Sequence, residues 1–111
     1  MKSGCVYILE CSDGSYYTGV TSDIEVRIAE HQNGIHKGYT YSRRPVRLLW
    51  SDCFPDMVQA IGMEKRIKGW TRKKKEALMA GNFTLLRELS KTASLRQAQT
   101  DYHAHTEPES S

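Results

Sequence analysis

A carboxylate stands in the middle of an apolar helical stripe, and that placement limits how this chain can fold. Asp56 to Lys75 reads as one amphipathic helix whose inward positions, at three-and-four spacing, are Met57, Ala60, Ile61, Glu64 and Ile67. Packing that stripe against a core strips water from Glu64, at a cost on the order of several kcal/mol unless a cation or hydrogen-bond donors compensate. A fold that buries this helix must therefore supply Glu64 with a positive partner. The other positions include Lys65, Arg66, Lys68, Arg72, Lys73, Lys74 and Lys75, a dense basic surface. A shielded acid on a helix coated with cations suggests a metal site beside a bound polyanion. Gly69 is the point where the helix is expected to bend or break.

The charge balance sharpens this reading. The chain of 111 residues carries a formal charge of +3, and the segment from Thr92 onward (TASLRQAQTDYHAHTEPESS) carries −2, which leaves +5 for the body. Glu64 to Glu76 alone holds seven Lys or Arg against two Glu, so the whole excess lies in one helix. That concentration is the electrostatic footprint expected of a surface that meets a phosphate backbone. A solvated helix face is the commoner meaning of a lysine-rich run taken alone. The segment from Thr92 has lost apolar periodicity and reads as a disordered tail over 92–111, with one domain over 1–91.

Cys5, Cys11 and Cys53 are odd in number and lack CxxC spacing, which favours packed thiols in a reducing cytoplasm over a disulfide framework or a zinc site. The N-terminal apolar run is too short for a signal peptide, and no stretch has the length of a membrane span.

The segments CVYILEC (Cys5 to Cys11) and YYTGV (Tyr16 to Val20), separated by Ser12-Asp13-Gly14-Ser15, predict a β-hairpin. Ser22 with Glu25 reads as a capping box opening a helix to about Gln32, which Asn33-Gly34 ends. Ile35 to Arg44 is a polar, aromatic and basic loop; Val46 to Cys53 is a third strand; Phe83 to Ser90 is a short last helix. The order ββαβαα implies an α+β fold, a small three-stranded, mostly antiparallel sheet flanked by helices.

The first helix repeats the anomaly of the second. Its stripe of Ile24, Arg27, Ile28 and His31 puts an arginine and a histidine four apart on the side that meets the sheet, near Tyr7 and Tyr17 of the strands. A partly buried Arg–Glu pair is a common structural feature, and a lone histidine on such a face is more often a satisfied core residue than a catalyst. Four polar types converging on one core argue for chemistry.

Cys5-Val6-Tyr7 and Tyr17-Thr18-Gly19 resemble the two signature tripeptides of the GIY-YIG nuclease superfamily. The similarity continues through Arg27 and His31 in DIEVRIAEH, YTYSRRPVRLLW from Tyr39 and AIGMEKRIKGWTRKKKEAL from Ala60. It spans Gly4 to about Leu89 and is strongest toward small stand-alone bacterial members, related to the N-terminal nuclease domain of the nucleotide-excision-repair incision enzyme. Cys5 stands where the first tripeptide has glycine, and Thr18 where the second has isoleucine. The resemblance implies a DNA endonuclease with one divalent metal, Mg2+ or Mn2+, held by Glu64 and water. It implies that Arg27 stabilises charge on the scissile phosphate, and that Tyr7, Tyr17 and His31 position or deprotonate the attacking water. Asn82 is the candidate for the family's late asparagine, or a cap of the final helix.

One hard cation and one arginine can neutralise a pentavalent phosphate, and a single carboxylate suits a magnesium ion that keeps most of its waters. Tyrosine, with a free pKa of about 10, needs help to act as a base. Tyr39, Tyr41, Arg43 and Arg44 read as a DNA-contacting loop, with surface decoration as the plainer alternative. No recognition domain is appended, so DNA structure is the expected cue and sequence specificity should be low. The alternative is a nucleic-acid-binding module of the same fold without useful turnover. Both tyrosines can share one site only if the hairpin has a three-residue loop, Ser12-Asp13-Gly14, with Gly14 left-handed, Leu9 opposite Tyr17 and Tyr7 opposite Gly19. A two-residue Asp-Gly turn would place them on opposite faces.

Overall fold

The computed structural model describes the backbone of residues 2–100 and the side chains of residues 2–91. The chain falls into two compact units divided between Lys68 and Gly69.

The first unit holds β1 (Gly4–Glu10), β2 (Tyr16–Thr21), α1 (Ile24–Gln32), a 3-10 turn at Tyr41–Arg43, β3 (Arg47–Phe54) and α2 (Met57–Lys68). The strands form an antiparallel sheet in the order β2-β1-β3. The hairpin adopts the odd loop. Gly14 has φ +84°, Cys11 N–H donates to Ser15 O at 2.8 Å, Leu9 lies opposite Tyr17 and Tyr7 opposite Gly19. The Asp13 carboxylate accepts from Ser15 N–H and Oγ at 3.0 and 2.6 Å, which braces the loop in this form against the shorter Asp-Gly turn.

One sheet face carries Tyr7, Leu9 and Cys11, packed with Val46, Tyr17 and the α1 residues Ile24 and Ile28. On the other side, β1 is covered by α2, whose Met57 and Ala60 lie against Gly4. The α1 cap is Asp23, whose carboxylate accepts from Val26 N–H at 3.2 Å, one residue later than the expected Ser22 box. Thr21 accounts for the shift: its hydroxyl accepts from Asp23 N–H at 3.1 Å and keeps the chain extended one residue longer. Gly34, at φ +70°, follows the helix end as expected. Gln32 then ties α1 to Val46, the residue before β3, donating to Val46 O while its Oε1 accepts from Val46 N–H at 3.0 Å.

The cysteine reading requires correction. Cys5 and Cys53 are joined by a disulfide, because the β1–β3 register places them directly across from each other, 3.9 Å between Cα atoms. Sequence spacing carries no information about that pairing, and the argument from packed thiols to a reducing compartment goes with it. Cys11 does pack as a buried thiol, and burial pushes its ionisation upward.

In the second unit, α3 (Arg72–Met79) and α4 (Phe83–Thr100) follow the point where the expected long helix is interrupted. Gly69 weakens the helix, and Thr71 starts a new one by accepting from Lys74 N–H at 3.2 Å. Asn82 caps α4 through Leu85 N–H at 3.1 Å. The α4 backbone runs to Thr100 and so enters the segment expected to be tail, since Ala93 to Gln99 contains good helix formers and neither Gly nor Pro. Residues 101–111 of that expected tail lie outside the described residues. Among the described residues no helix is long and apolar enough to cross a membrane.

Candidate active site

The site begins with the close approach of one strand to the next. Gly19 faces Tyr7 across the β1–β2 ladder, and the Tyr7 phenol lies directly over it. A Cβ at Gly19 would stand 2.4 Å from Tyr7 Oη, so the glycine is what lets the ring lie down across β2. There Oη meets His31 from α1, at 3.0 Å from Nε2. Tyr17, two residues before Gly19, completes the group, with ring centroids 6.3 Å from Tyr7 and 5.2 Å from His31.

Both nitrogens of His31 are engaged. Nδ1 lies 2.8 Å from Thr40 Oγ1, and both Thr40 and Tyr7 are buried. Burial, then the charges of His36 and Arg27, pushes the His31 pKa down from 6.5 to about 4, against an opposing pull from Glu30, so the ring is neutral near pH 7. The Tyr7 phenol is pushed up to about 12, first by burial and then by Tyr17. Arg27 opposes that rise by hydrogen bonding and charge, and the charge of Glu64 adds to it. Tyr7 therefore keeps its proton and lies within the electrostatic reach of both Arg27 and Glu64.

Glu64 is buried on the α2 stripe with Ala60 and Ile67, as the spacing required, whereas Ile61 at the edge is 37% exposed. Its positive partner comes from its own helix: Lys68 Nζ sits 2.8 Å from Glu64 Oε2, one turn away. Arg27 is half-buried and paired with Glu30 at 3.2 Å; His36 holds the same Glu30 oxygen at 2.8 Å. Among the described residues no group of three or more His, Cys, Asp or Glu could hold an ion. The donor set is thus one hard carboxylate, which fits a cation that keeps water and borrows substrate phosphate oxygens, and does not fit an all-protein cage.

The five residues read as catalytic divide into a contacting core of Tyr7, Tyr17 and His31, with Arg27 acting on Tyr7 by hydrogen bonding and charge and Glu64 by charge alone. The loop read as DNA-contacting is folded back on itself. Tyr39 stacks on Tyr17 at 6.1 Å, Arg43 lies over Tyr39 at 3.9 Å, and Arg43 Nε donates to Asp13 of the hairpin loop at 3.1 Å. Arg44 lies over Tyr41 at 4.8 Å and donates to Tyr41 O at 2.8 Å. Along the basic run, Lys65, Arg72 and Lys73 are exposed, with Arg72 paired to Glu76 at 3.1 Å, and Lys74 lies 4.3 Å over the Trp70 ring. Lys75 is buried and is not available to the surface, because it falls beside Ala77 and Leu78 among the buried positions of α3.

Thr40 and the Glu30–His36 pair escaped the sequence reading. Thr40 lies in an irregular loop, where no periodicity tells which side chains turn inward; Glu30 at i,i+3 from Arg27 was a visible signal.

The chain matches the family model described as the GIY-YIG catalytic domain over residues 3–77. It is similar to a UPF0213 protein of Halobacterium salinarum, 48% identical over 73 residues that cover 66% of this chain and 95% of that protein. A UPF0213 protein of Bacillus pumilus is 46% identical over 70 residues, 63% of this chain and 71% of that one. The solution NMR structure of a UPF0213 protein from Bacillus halodurans is 44% identical, covers 70% of this chain and 83% of that chain, and superposes with a TM-score of 0.48. The matched segment is more than half of the chain, and this chain belongs to the GIY-YIG family.

Proposed function

We propose that this protein is a metal-dependent endonuclease that hydrolyses phosphodiester bonds in DNA, directed by DNA structure more than by base sequence. The observation that carries the reading is the convergence on one phenol. Tyr7 is hydrogen-bonded to a neutral histidine, flanked by a second tyrosine and biased by one guanidinium and one carboxylate. Such a group is built to move a proton beside an anion.

Each residue then has a task. Arg27 supplies fixed positive charge for the phosphate as negative charge grows on its oxygens. Tyr7 and His31 take the proton of the attacking water, and Tyr17 walls the water into place. Glu64 would hold one Mg2+ or Mn2+, which when bound supplies Lewis-acid charge at the phosphate. Lys68 holds one oxygen of that carboxylate, so a cation arriving there competes with a lysine. The exposed cations Lys65, Arg72 and Lys73 attract the backbone without reading sequence.

Purified protein with Mg2+ or Mn2+ and a panel of flaps, nicks and branched duplexes tests the reading. Cleavage that is lost in Glu64→Gln while DNA affinity is retained supports it. Binding to the same panel with no cutting under either metal would instead identify a non-catalytic binding module of this fold.

A further inference from the structure

We propose that Thr40 is a positioning residue for phosphodiester hydrolysis: by accepting a hydrogen bond from Nδ1–H of His31, it holds the imidazole in the tautomer whose bare Nε2 faces the Tyr7 hydroxyl. The inference rests on the nuclease reading for its consequence, and on the geometry alone for its first half.

A neutral imidazole has one N–H and one acceptor nitrogen, and the ring of His31 is buried with each nitrogen committed to a single hydroxyl. Two arrangements satisfy the pair. In one, Nδ1–H donates to Thr40 Oγ1 and Nε2 accepts from Tyr7. In the other, Thr40 donates to Nδ1 and Nε2–H donates to Tyr7. The surroundings of Tyr7 choose between them. Its phenol stays protonated and is buried, so its O–H needs an acceptor, while Arg27 is a donor only. The first arrangement gives Tyr7 one bond donated to Nε2 and leaves its lone pairs for Arg27 and water. The second presses two donors on the phenol and leaves its own proton to find another acceptor. With that choice made at Tyr7, Thr40 is the group left to accept from Nδ1–H: it is 1% exposed, 2.8 Å from Nδ1, and precedes a 3-10 turn in which Arg43 N–H bonds Thr40 O at 3.0 Å.

The tautomer decides whether Tyr7 can work as a base. As the water oxygen bonds to phosphorus, its proton passes to Tyr7 Oη and the Tyr7 proton passes to Nε2, making His31 an imidazolium whose Nδ1–H still rests on Thr40. The ester P–O bond breaks with its electron pair on the leaving oxygen, which takes a proton from solvent. His31 later returns its proton through Tyr7 to water. With Nε2 already protonated, no acceptor exists for the Tyr7 proton and the phenol cannot accept from water.

Nitrogen-15 NMR of His31 in the intact protein at neutral pH reads the tautomer directly, without DNA or metal. The expected result is a proton on Nδ1 and a bare Nε2. Thr40→Val removes the acceptor at nearly the same shape and should shift the ring toward Nε2–H, with kcat for cleavage falling on the order of 10²-fold. Thr40→Ser should restore both the parental tautomer and most of the rate. An Nε2–H tautomer in the parent, or a valine variant that folds with unchanged tautomer and rate, overturns the proposal. If valine unfolds the protein, the parental spectrum and the serine variant still decide it. A parent with the expected tautomer and no cleavage of any substrate would sink the nuclease reading and leave the hydrogen-bond assignment standing.

Discussion

Replacing Gly19 by alanine should dismantle the site from a position that carries no functional group. The added Cβ would stand 2.4 Å from Tyr7 Oη, 2.5 Å from Cζ and 3.0 Å from Cε1, where ordinary contact begins at 3.4 Å, so the phenol must retreat by about 1 Å. It has nowhere easy to go. The ring is fully buried and packed against Tyr17 and His31, and its oxygen is held at 3.0 Å by Nε2, a distance that a retreat of that size stretches beyond hydrogen bonding. Overpacking of this kind costs about 1–3 kcal/mol and an orphaned buried hydroxyl about 1–3 more. The sum, roughly 2–6 kcal/mol, is a large part of the about 5–15 kcal/mol that holds a domain of this size together. The assay is urea denaturation with cleavage measured under folding conditions, and the expected result is a loss of unfolding free energy of that size with activity lost. Gly4→Ala is the control. Its Cβ would meet Met57 Sδ at 2.6 Å and Ala60 Cβ at 3.0 Å, but a flexible thioether can turn aside, so the cost should be smaller. Stability for Gly19→Ala within about 0.5 kcal/mol of the parent would show that the Tyr7 ring is not confined as described.

Three further perturbations separate the roles of particular side chains. Thr18 is fully buried with Oγ1 lacking a hydrogen-bond partner among the described residues, so Thr18→Val should raise stability by about 1 kcal/mol in chemical denaturation; a loss of that size would reveal a hidden partner. Lys73→Glu, at an exposed position, should weaken binding to any DNA sequence and reduce the slope of log affinity against log salt by about 0.9, whereas Lys75→Glu, at a buried one, should first lower the melting temperature; equal behaviour of the two would refute the burial pattern. His31 protonates near 6.5 when unfolded and near 4 when folded among Tyr7, Tyr17, His36, Arg27 and Glu30. The unfolded state therefore takes up the proton first, and stability should fall as pH drops from 6.5 toward 4 by roughly 1–3 kcal/mol. Denaturation at pH 7 and pH 4.5 should show a drop that His31→Gln diminishes, and an undiminished drop would assign it to other groups.

Much of this was legible because period and turn chemistry are local. The Glu64 stripe follows from helical spacing, and the hairpin loop from requiring Tyr7 and Tyr17 on one face, a demand that alternation in strands makes strict. What was hidden depends on contacts between distant segments. The Cys5–Cys53 bond is set by the β1–β3 register, Thr40 turns inward from a loop without periodicity, and Lys75 is indistinguishable from Lys73 until α3 is packed. The partner of Glu64, Lys68, stands at i,i+4 on the same helix, a spacing readable from the sequence.

The odd hairpin loop and the glycine of the second tripeptide solve one problem together. A strand pair offers two tyrosines on one face with side chains standing roughly perpendicular to the sheet, which would leave their hydroxyls pointing away from it. Placing Gly19 opposite Tyr7 opens a slot beside the ladder, so Tyr7 lies across β2 and delivers its oxygen to the side where α1 brings His31 and Arg27. The register puts the glycine in that slot only when the loop has three residues. One residue fewer would set Val20 there, whose branched side chain has no room for the ring. The spacing between the two tripeptides is therefore a steric requirement of the site, and shortening the loop by one residue should cost activity more surely than most substitutions of the loop residues themselves.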